Sequence, residues 1–307
     1  MAVAPTSGSE SVTAERCSVA SEGRGEPLAG TASTVRSWLL LEHPGPWGRD
    51  ALVDARHGTA GFGTALGRRC RATGVRPLLI RRVGRTDPIG RPVCFAVSSP
   101  AARIERIVLG SHDEALDLDL DALGQGEPLG LELHPGTVFL VCTHGRHDVC
   151  CAERGRPLAS ALGAVLPEQT WEASHIGGDR FAGNVLALPH GVYFGRVAPA
   201  DAEAVAMAYL AGRLSLRHLR GRSTQPMAVQ FAEHALRVEL GLDGIDEVAV
   251  EGSTRVDATT LRTSVHTPRG AFVVTVSVGT SAPQRLTCRS DHAEGAPSYR
   301  LTAIEPA

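Results

Sequence analysis

The feature that most constrains this chain is an order of apolar runs that occurs twice. Residues 35–41 (VRSWLLL) have the content of a buried strand, and they stop before Pro44, Gly45 and Pro46, through which neither strand nor helix continues. A helix is predicted over about 59–73, a strand at 76–83 (RPLLIRRV), and two more at 92–98 and 104–109, turning near Ser99 and Pro100. Residues 117–123 alternate acid with leucine and are expected to be edge or loop. The order returns in a strand at 137–141 (TVFLV), a helix over about 152–166, strands at 170–173, 185–188 and 192–196, and a closing helix at 199–214. A β-α-β-β-β-α succession with a crossover helix and a hairpin at His190 and Gly191 predicts an α/β fold with a thioredoxin-like layer. The first unit is expected to be a related or degenerate copy.

Four segments follow from this pattern. Residues 1–33 lack hydrophobic periodicity and read as a disordered leader. Residues 34–130 make an N-terminal α/β domain and 131–222 the thioredoxin-like domain. Residues 223–307 make a small α+β tail with one amphipathic helix at 226–240, strands at 248–250, 260–266 and 271–278, and no recognisable chemistry. A chain of 307 residues, 43% hydrophobic, is long enough for two or three such cores.

Charge narrows the partners. Basic and acidic residues number 31 and 33, which gives no electrostatic case for nucleic acid or an anionic membrane. Every basic residue is arginine, which excludes a Schiff-base lysine and a P-loop lysine. No apolar run approaches the roughly 18 residues of a membrane span, and the first 22 residues lack the apolar core of a secretory signal. Seven irregularly spaced cysteines do not make a disulfide scaffold. A cytoplasmic protein is expected.

One stretch is dense in chemistry. Cys142, His144, His147, Asp148, Cys150 and Cys151 fall within ten residues. Cys142 ends the TVFLV strand and Cys151 opens the next helix, so both sulfurs reach one space above the sheet edge, where ligands of α/β folds sit. His175 ends the following strand on the same edge. Gly177 and Gly178 permit a tight turn, and Asp179 follows. Two pairs of ligands on facing loops suit a two-iron cluster, although the spacing alone does not choose between iron-sulfur and zinc. Cys17, Cys70, Cys94 and Cys288 are expected to be small buried hydrophobes. Arg146, Arg180 and Arg196 lie near the centre in sequence, either to balance its charge or to mark a docking surface.

Residues 142–151 (CTHGRHDVCC) and 175–184 (HIGGDRFAGN) resemble the signature of the sucrase/ferredoxin-like proteins, a branch of the thioredoxin-like [2Fe-2S] ferredoxins. Residues 26–31 (EPLAGT) and 38–48 (WLLLEHPGPWG) resemble that family's N-terminal half. In the characterised branch the cluster is held by a Cys-x8-Cys pair and a His-x-Gly-Gly-His hairpin. The resemblance implies Cys142, Cys151 and His175 as ligands, whereas Asp179 stands where the second histidine would be. Asp179, Cys150, His144 and His147 are the candidates for the fourth position.

The resemblance implies an electron-transfer or redox-sensing protein with one [2Fe-2S] cluster, a redox protein as partner, and no substrate of its own. A neutral imidazole ligand makes such a cluster easier to reduce. A potential between roughly −400 mV for all-cysteine ferredoxins and roughly −150 to +300 mV for Rieske centres is expected. The alternatives are a thiol oxidoreductase, which lacks a Cys-x-x-Cys motif, and a structural zinc protein. A glycosidase would need paired carboxylates, and Glu42 and Asp50 are the nearest candidates.

Overall fold

The computed structural model describes residues 15–84 and 90–307. Among the described residues, ten strands form one mixed sheet in the order β10-β9-β8-β6-β7-β2-β1-β3-β4-β5. The strands of one half are β1 (Ser37–Glu42), β2 (Val75–Arg82), β3 (Val93–Ser98), β4 (Arg103–Val108) and the short β5 (Glu132–Leu133). Those of the other are β6 (Val138–Cys142), β7 (Thr170–Ala173), β8 (Val185–Leu188), β9 (Val192–Phe194) and β10 (Leu219–Arg222). In each half the first two strands are parallel, the third lies antiparallel on the other side of the first, and the fourth pairs with the third. The mixed α/β architecture expected from the sequence is therefore present, and the order of pairing is duplicated.

The halves join through the antiparallel pair β2 and β7, where Ile80, Arg81 and Arg82 face Ala173, Glu172 and Trp171. Arg81 donates to Glu172 across this seam at 2.7 and 3.1 Å, and Thr143 donates to the same carboxylate oxygen at 2.7 Å. The Arg82 guanidinium lies over the Trp171 ring, 3.8 Å from its centroid. The central strands β1 and β6 are buried along their whole length. Helices cover one face of each, and on the other face Trp38 and Leu40 share a core with Val138 and Leu140, so no side of these strands is left in water, which is why they read as continuous apolar runs rather than alternating ones.

The helices among the described residues are α1 (Cys17–Gly23), α2 (Ala51–Asp54), α3 (Phe62–Thr73), α4 (Leu120–Gln125), α5 (Val149–Val165), α6 (Ala202–Leu210) and α7 (Met227–Leu240). Leu66 and Cys70 of α3 pack with Leu39, Leu41, Leu79 and Cys94 on one face. Leu158 and Leu162 of α5 and Val205 of α6 pack with Phe139 and Val141 on the second half. Cys70 and Cys94 are thus the core hydrophobes expected. Helix α7 covers a separate antiparallel sheet of β11 (Ala249–Arg255), β12 (Thr260–Thr267), β13 (Gly270–Thr280) and β14 (Pro297–Pro306).

Several expectations are corrected. The leader is folded from residue 15 onward, while residues 1–14 lie outside the described residues. Helix α1 buries Cys17, Ser18 and Ser21, and residues 30–35 bond the backbone of Arg220 and Ser223. Its polar composition hides this, because what it buries lies against distant segments. Residues 117–123 are not edge strand. Asp119 caps α4 by accepting from the Ala122 N–H at 3.0 Å, and Leu120 and Leu123 turn inward together. The closing helix is shorter than predicted: a 3-10 turn at Pro199–Asp201 leads into α6, which ends at Leu210. Strands β10 and β14 were not anticipated. No helix among the described residues is long and apolar enough to cross a membrane.

Candidate metal centre

The centre forms where β6 and β7 end side by side, with Cys142 in register with Ala173. Helix α5 begins after a short loop, its N-terminus capped by Asp148, whose carboxylate accepts from the Cys150 N–H at 2.8 Å. Gly155, one turn beyond Cys151, lets α5 press onto the end of β6. A Cβ there would lie 1.9 Å from the Cys142 carbonyl oxygen. That approach brings the Cys151 sulfur to Cys142.

Cys142, Cys151 and His175 place their donor atoms within 4.8 Å of one another, and His147, His175 and Asp179 do the same. Asp179 is central. Its Oδ1 accepts from the Cys151 thiol at 3.2 Å and lies 3.0 Å from His175 Nδ1, while its Oδ2 lies 3.9 Å from His147 Nε2. The His147 and His175 rings stack at 3.7 Å. His175 Nδ1 is shielded from solvent and not aligned for a hydrogen bond, so its contact with Asp179 is ionic and its lone donor direction is unused.

Protonation follows from these contacts. The neighbouring Cys151 thiol, with His175 and against the cost of burial, holds the Cys142 thiol well below the usual range. The same proximity, with burial, pushes Cys151 up. Burial opposes ionisation of Asp179, but His175 and Cys151 outweigh it and hold the carboxyl below its ordinary value. Burial also opposes charge on His175, yet Asp179 and Cys142 raise it to about 9. A thiolate, an imidazolium and a carboxylate thus share one buried edge, a donor set in which a metal cation would replace the protons.

The other candidates for the fourth position differ in reach. His144 has both ring nitrogens engaged, Nδ1 with the His175 N–H at 3.3 Å and Nε2 with the Gly48 carbonyl at 2.9 Å. Cys150 turns away to Cys17 and Cys288. Arg180 and Arg196 are taken up by the folded N-terminal segment, through Glu26 at 2.7 Å and Ser21 at 2.8 Å. Glu42 accepts from the Val93 N–H at 3.1 Å, and Asp50 caps α2, so both acids have structural partners.

Arg220 was not singled out in the sequence. It is fully buried and, among the described residues, has no carboxylate within ion-pair distance. It donates to the Gly177 carbonyl at 2.9 Å, to Asn184 Oδ1 at 2.8 Å, and to the carbonyl and hydroxyl of Thr31. Gly178, at φ 82°, permits this: a Cβ there would lie 2.3 Å from the guanidinium. Arg220 has no local sequence signal. Gly155 does, as an isolated glycine inside a helical pattern.

An open pocket of about 650 Å³ leads to His175, whose side chain is 22% exposed. Arg49, Arg71, Arg76 and Arg289 line it together with Asp50 and Asp54.

An α/β sheet carrying a cysteine, histidine and aspartate cluster at one strand edge defines the class. The chain belongs to the sucrase/ferredoxin-like family, whose model matches residues 28–221. Over 78 residues it is 34% identical to altered inheritance of mitochondria protein 32 of Meyerozyma guilliermondii, a match covering 22% of this chain and 28% of that protein. No solved structure matches the chain.

Proposed function

We propose that the chain is a thioredoxin-like ferredoxin, an electron carrier or redox sensor holding one [2Fe-2S] cluster through Cys142, Cys151, His175 and Asp179. The observation that carries this reading is the convergence of the four side chains on one buried edge, with Asp179 in contact with both Cys151 and His175. Two observations fit the donor set to a cluster. His175 Nδ1 is buried without an aligned hydrogen bond and faces the Asp179 carboxylate, and Arg220 supplies a buried positive charge behind the ligand hairpin to offset an anionic group. The duplicated strand order, with the ligands on the second half, supports the thioredoxin-like assignment.

The cluster would supply one-electron transfer. Cys142 and Cys151 would hold it as thiolates, and His175 and Asp179 would complete the set. The exposed side of His175 opens on the arginine-bordered pocket, which suits the acidic surface of a redox partner, steered by charge and weakened by salt.

One observation favours a mononuclear zinc ion instead: the donor atoms of Cys142, Cys151 and His175 lie within 4.8 Å of one another, compact enough for a single ion. Visible absorption, electron paramagnetic resonance and iron and sulfide analysis of anaerobically purified protein separate the readings. Coloured protein with two irons and two sulfides, lost in Cys142→Ser and Cys151→Ser, supports the cluster. Colourless protein carrying zinc at these residues refutes it.

A further inference from the structure

A second thiol cluster lies away from this centre. Cys17 opens α1, Cys150 sits in the first turn of α5, and Cys288 lies in the connection between β13 and β14. Cys150 Sγ is 3.3 Å from Cys288 Sγ and 3.6 Å from Cys17 Sγ. The three sulfurs and a carboxylate oxygen of Asp148 fall within 4.8 Å of one another. Cys17 and Cys150 are buried, and their apolar surroundings are Ala182 and the half-buried Cys288.

Asp148 organises the group. One carboxylate oxygen accepts from the Cys150 N–H at 2.8 Å; the other accepts from the Cys288 N–H at 2.7 Å and the Thr287 hydroxyl at 2.8 Å. The carboxylate also lies 3.9 Å from Cys17 Sγ. It therefore fixes two of the three cysteines by their backbones and faces the third. Sulfurs bound at about 2.3 Å to a tetrahedral zinc ion lie about 3.8 Å apart, and the two spacings of Cys150 fall slightly inside that. Thiols are weak hydrogen-bonding groups, so three of them around a carboxylate gain little from each other as thiols. Soft thiolates select zinc over harder divalent ions. Arg16, Arg146, Arg285 and Arg289 border the outer side and would offset the negative charge of such a complex.

We propose that Cys17, Cys150 and Cys288, with Asp148 at the fourth corner, bind one zinc ion that fastens the N-terminal helix and the C-terminal sheet to the start of α5. On binding, the zinc ion displaces the thiol protons to solvent, and nothing is oxidised or reduced. This site is independent of the reading of the first centre, since it shares no ligand with it.

The test uses the full chain, reduced, incubated with zinc chloride and desalted, with zinc and iron measured by mass spectrometry. About one zinc per chain is expected at this site. Cys17→Ser and Cys288→Ser should each lower zinc affinity at least tenfold, read by competition with a chromophoric chelator, and leave iron content unchanged. Cys142→Ser should lower iron and leave this zinc in place. Because a variant can fail to fold, alkylation of unmodified protein provides a second reading. Zinc should slow labelling of Cys17, Cys150 and Cys288 together at least tenfold. Wild-type protein that retains no zinc, zinc that disappears with Cys142→Ser and not with Cys17→Ser, or thiols labelled equally fast with and without zinc would each overturn the proposal. Iron lost with Cys17→Ser in a folded protein would count against both centres as drawn.

Discussion

Cys150 and Cys151 are neighbours in the chain, yet their thiols belong to different clusters: Cys151 donates to Asp179 at 3.2 Å, and Cys150 lies 3.3 Å from Cys288. Successive residues of a helix project about 100° apart, so the first turn of α5 contributes to two clusters at once. A substitution at one cysteine should leave the other's site intact.

Asp179→His tests the carboxylate as a ligand. Replacing an anionic oxygen donor with a neutral imidazole makes the centre less negative, so the protein should keep its iron and its reduction potential should rise on the order of 100 mV. Protein-film voltammetry reads this directly. An unchanged potential and spectrum in both Asp179→His and Asp179→Ala would remove Asp179 from the ligand set.

Arg220→Met should lower the potential, because it withdraws a buried positive charge from beneath the ligand hairpin. It also leaves the Gly177 carbonyl and Asn184 Oδ1 without their donor, at a cost of about 1–3 kcal/mol in denaturant unfolding. Arg220→Lys keeps the charge and loses the fork, so its potential should fall between the two.

Gly155→Ala should act through packing alone. The added methyl meets the Cys142 carbonyl, so α5 must shift, costing about 1–3 kcal/mol and lowering iron occupancy in step. Gly23→Ala, where a Cβ meets nothing within 4 Å, should change neither. Iron analysis beside urea unfolding of the two variants makes the comparison.

Acid stability should depend on His43. Burial, then the neighbouring His57 and His112 and Arg81, lowers its pKa from the ordinary 6.5 to about 4. The fold therefore favours the neutral ring. The stability it contributes is fully present above about pH 6.5 and is lost as the pH falls toward about 4. His43→Gln should flatten the fall in urea midpoint across that window. An equally steep fall in the variant would assign the effect to other groups.

Much of the sheet was legible because its strands are buried on both faces. The run at 185–188 has no polar interruption, and it coincides with β8. The placement of Cys142, Cys151 and His175 at one edge was legible for the same reason, since parallel neighbours end together. What stayed hidden depends on partners far along the chain. Cys17 meets Cys288 across 271 positions, and the polar segment around α1 is held by surfaces it does not encode. The seam of Arg81 with Glu172 has no local signature, so the continuity of the two halves in one sheet could not be read from either half alone.

The two clusters also differ in when they can be completed during synthesis. Cys142, Cys151, His175 and Asp179 emerge from the ribosome within a short stretch of one another, whereas Cys288 follows Cys150 by 138 positions and lies between β13 and β14. Chains are synthesised from the N-terminus at about 5–20 residues per second. A nascent chain therefore has the whole donor set of the first centre several seconds before the final thiol of the second arrives. During that interval Cys150 waits for Cys288 while the neighbouring cluster already has all of its side chains, an order set by the order of the residues.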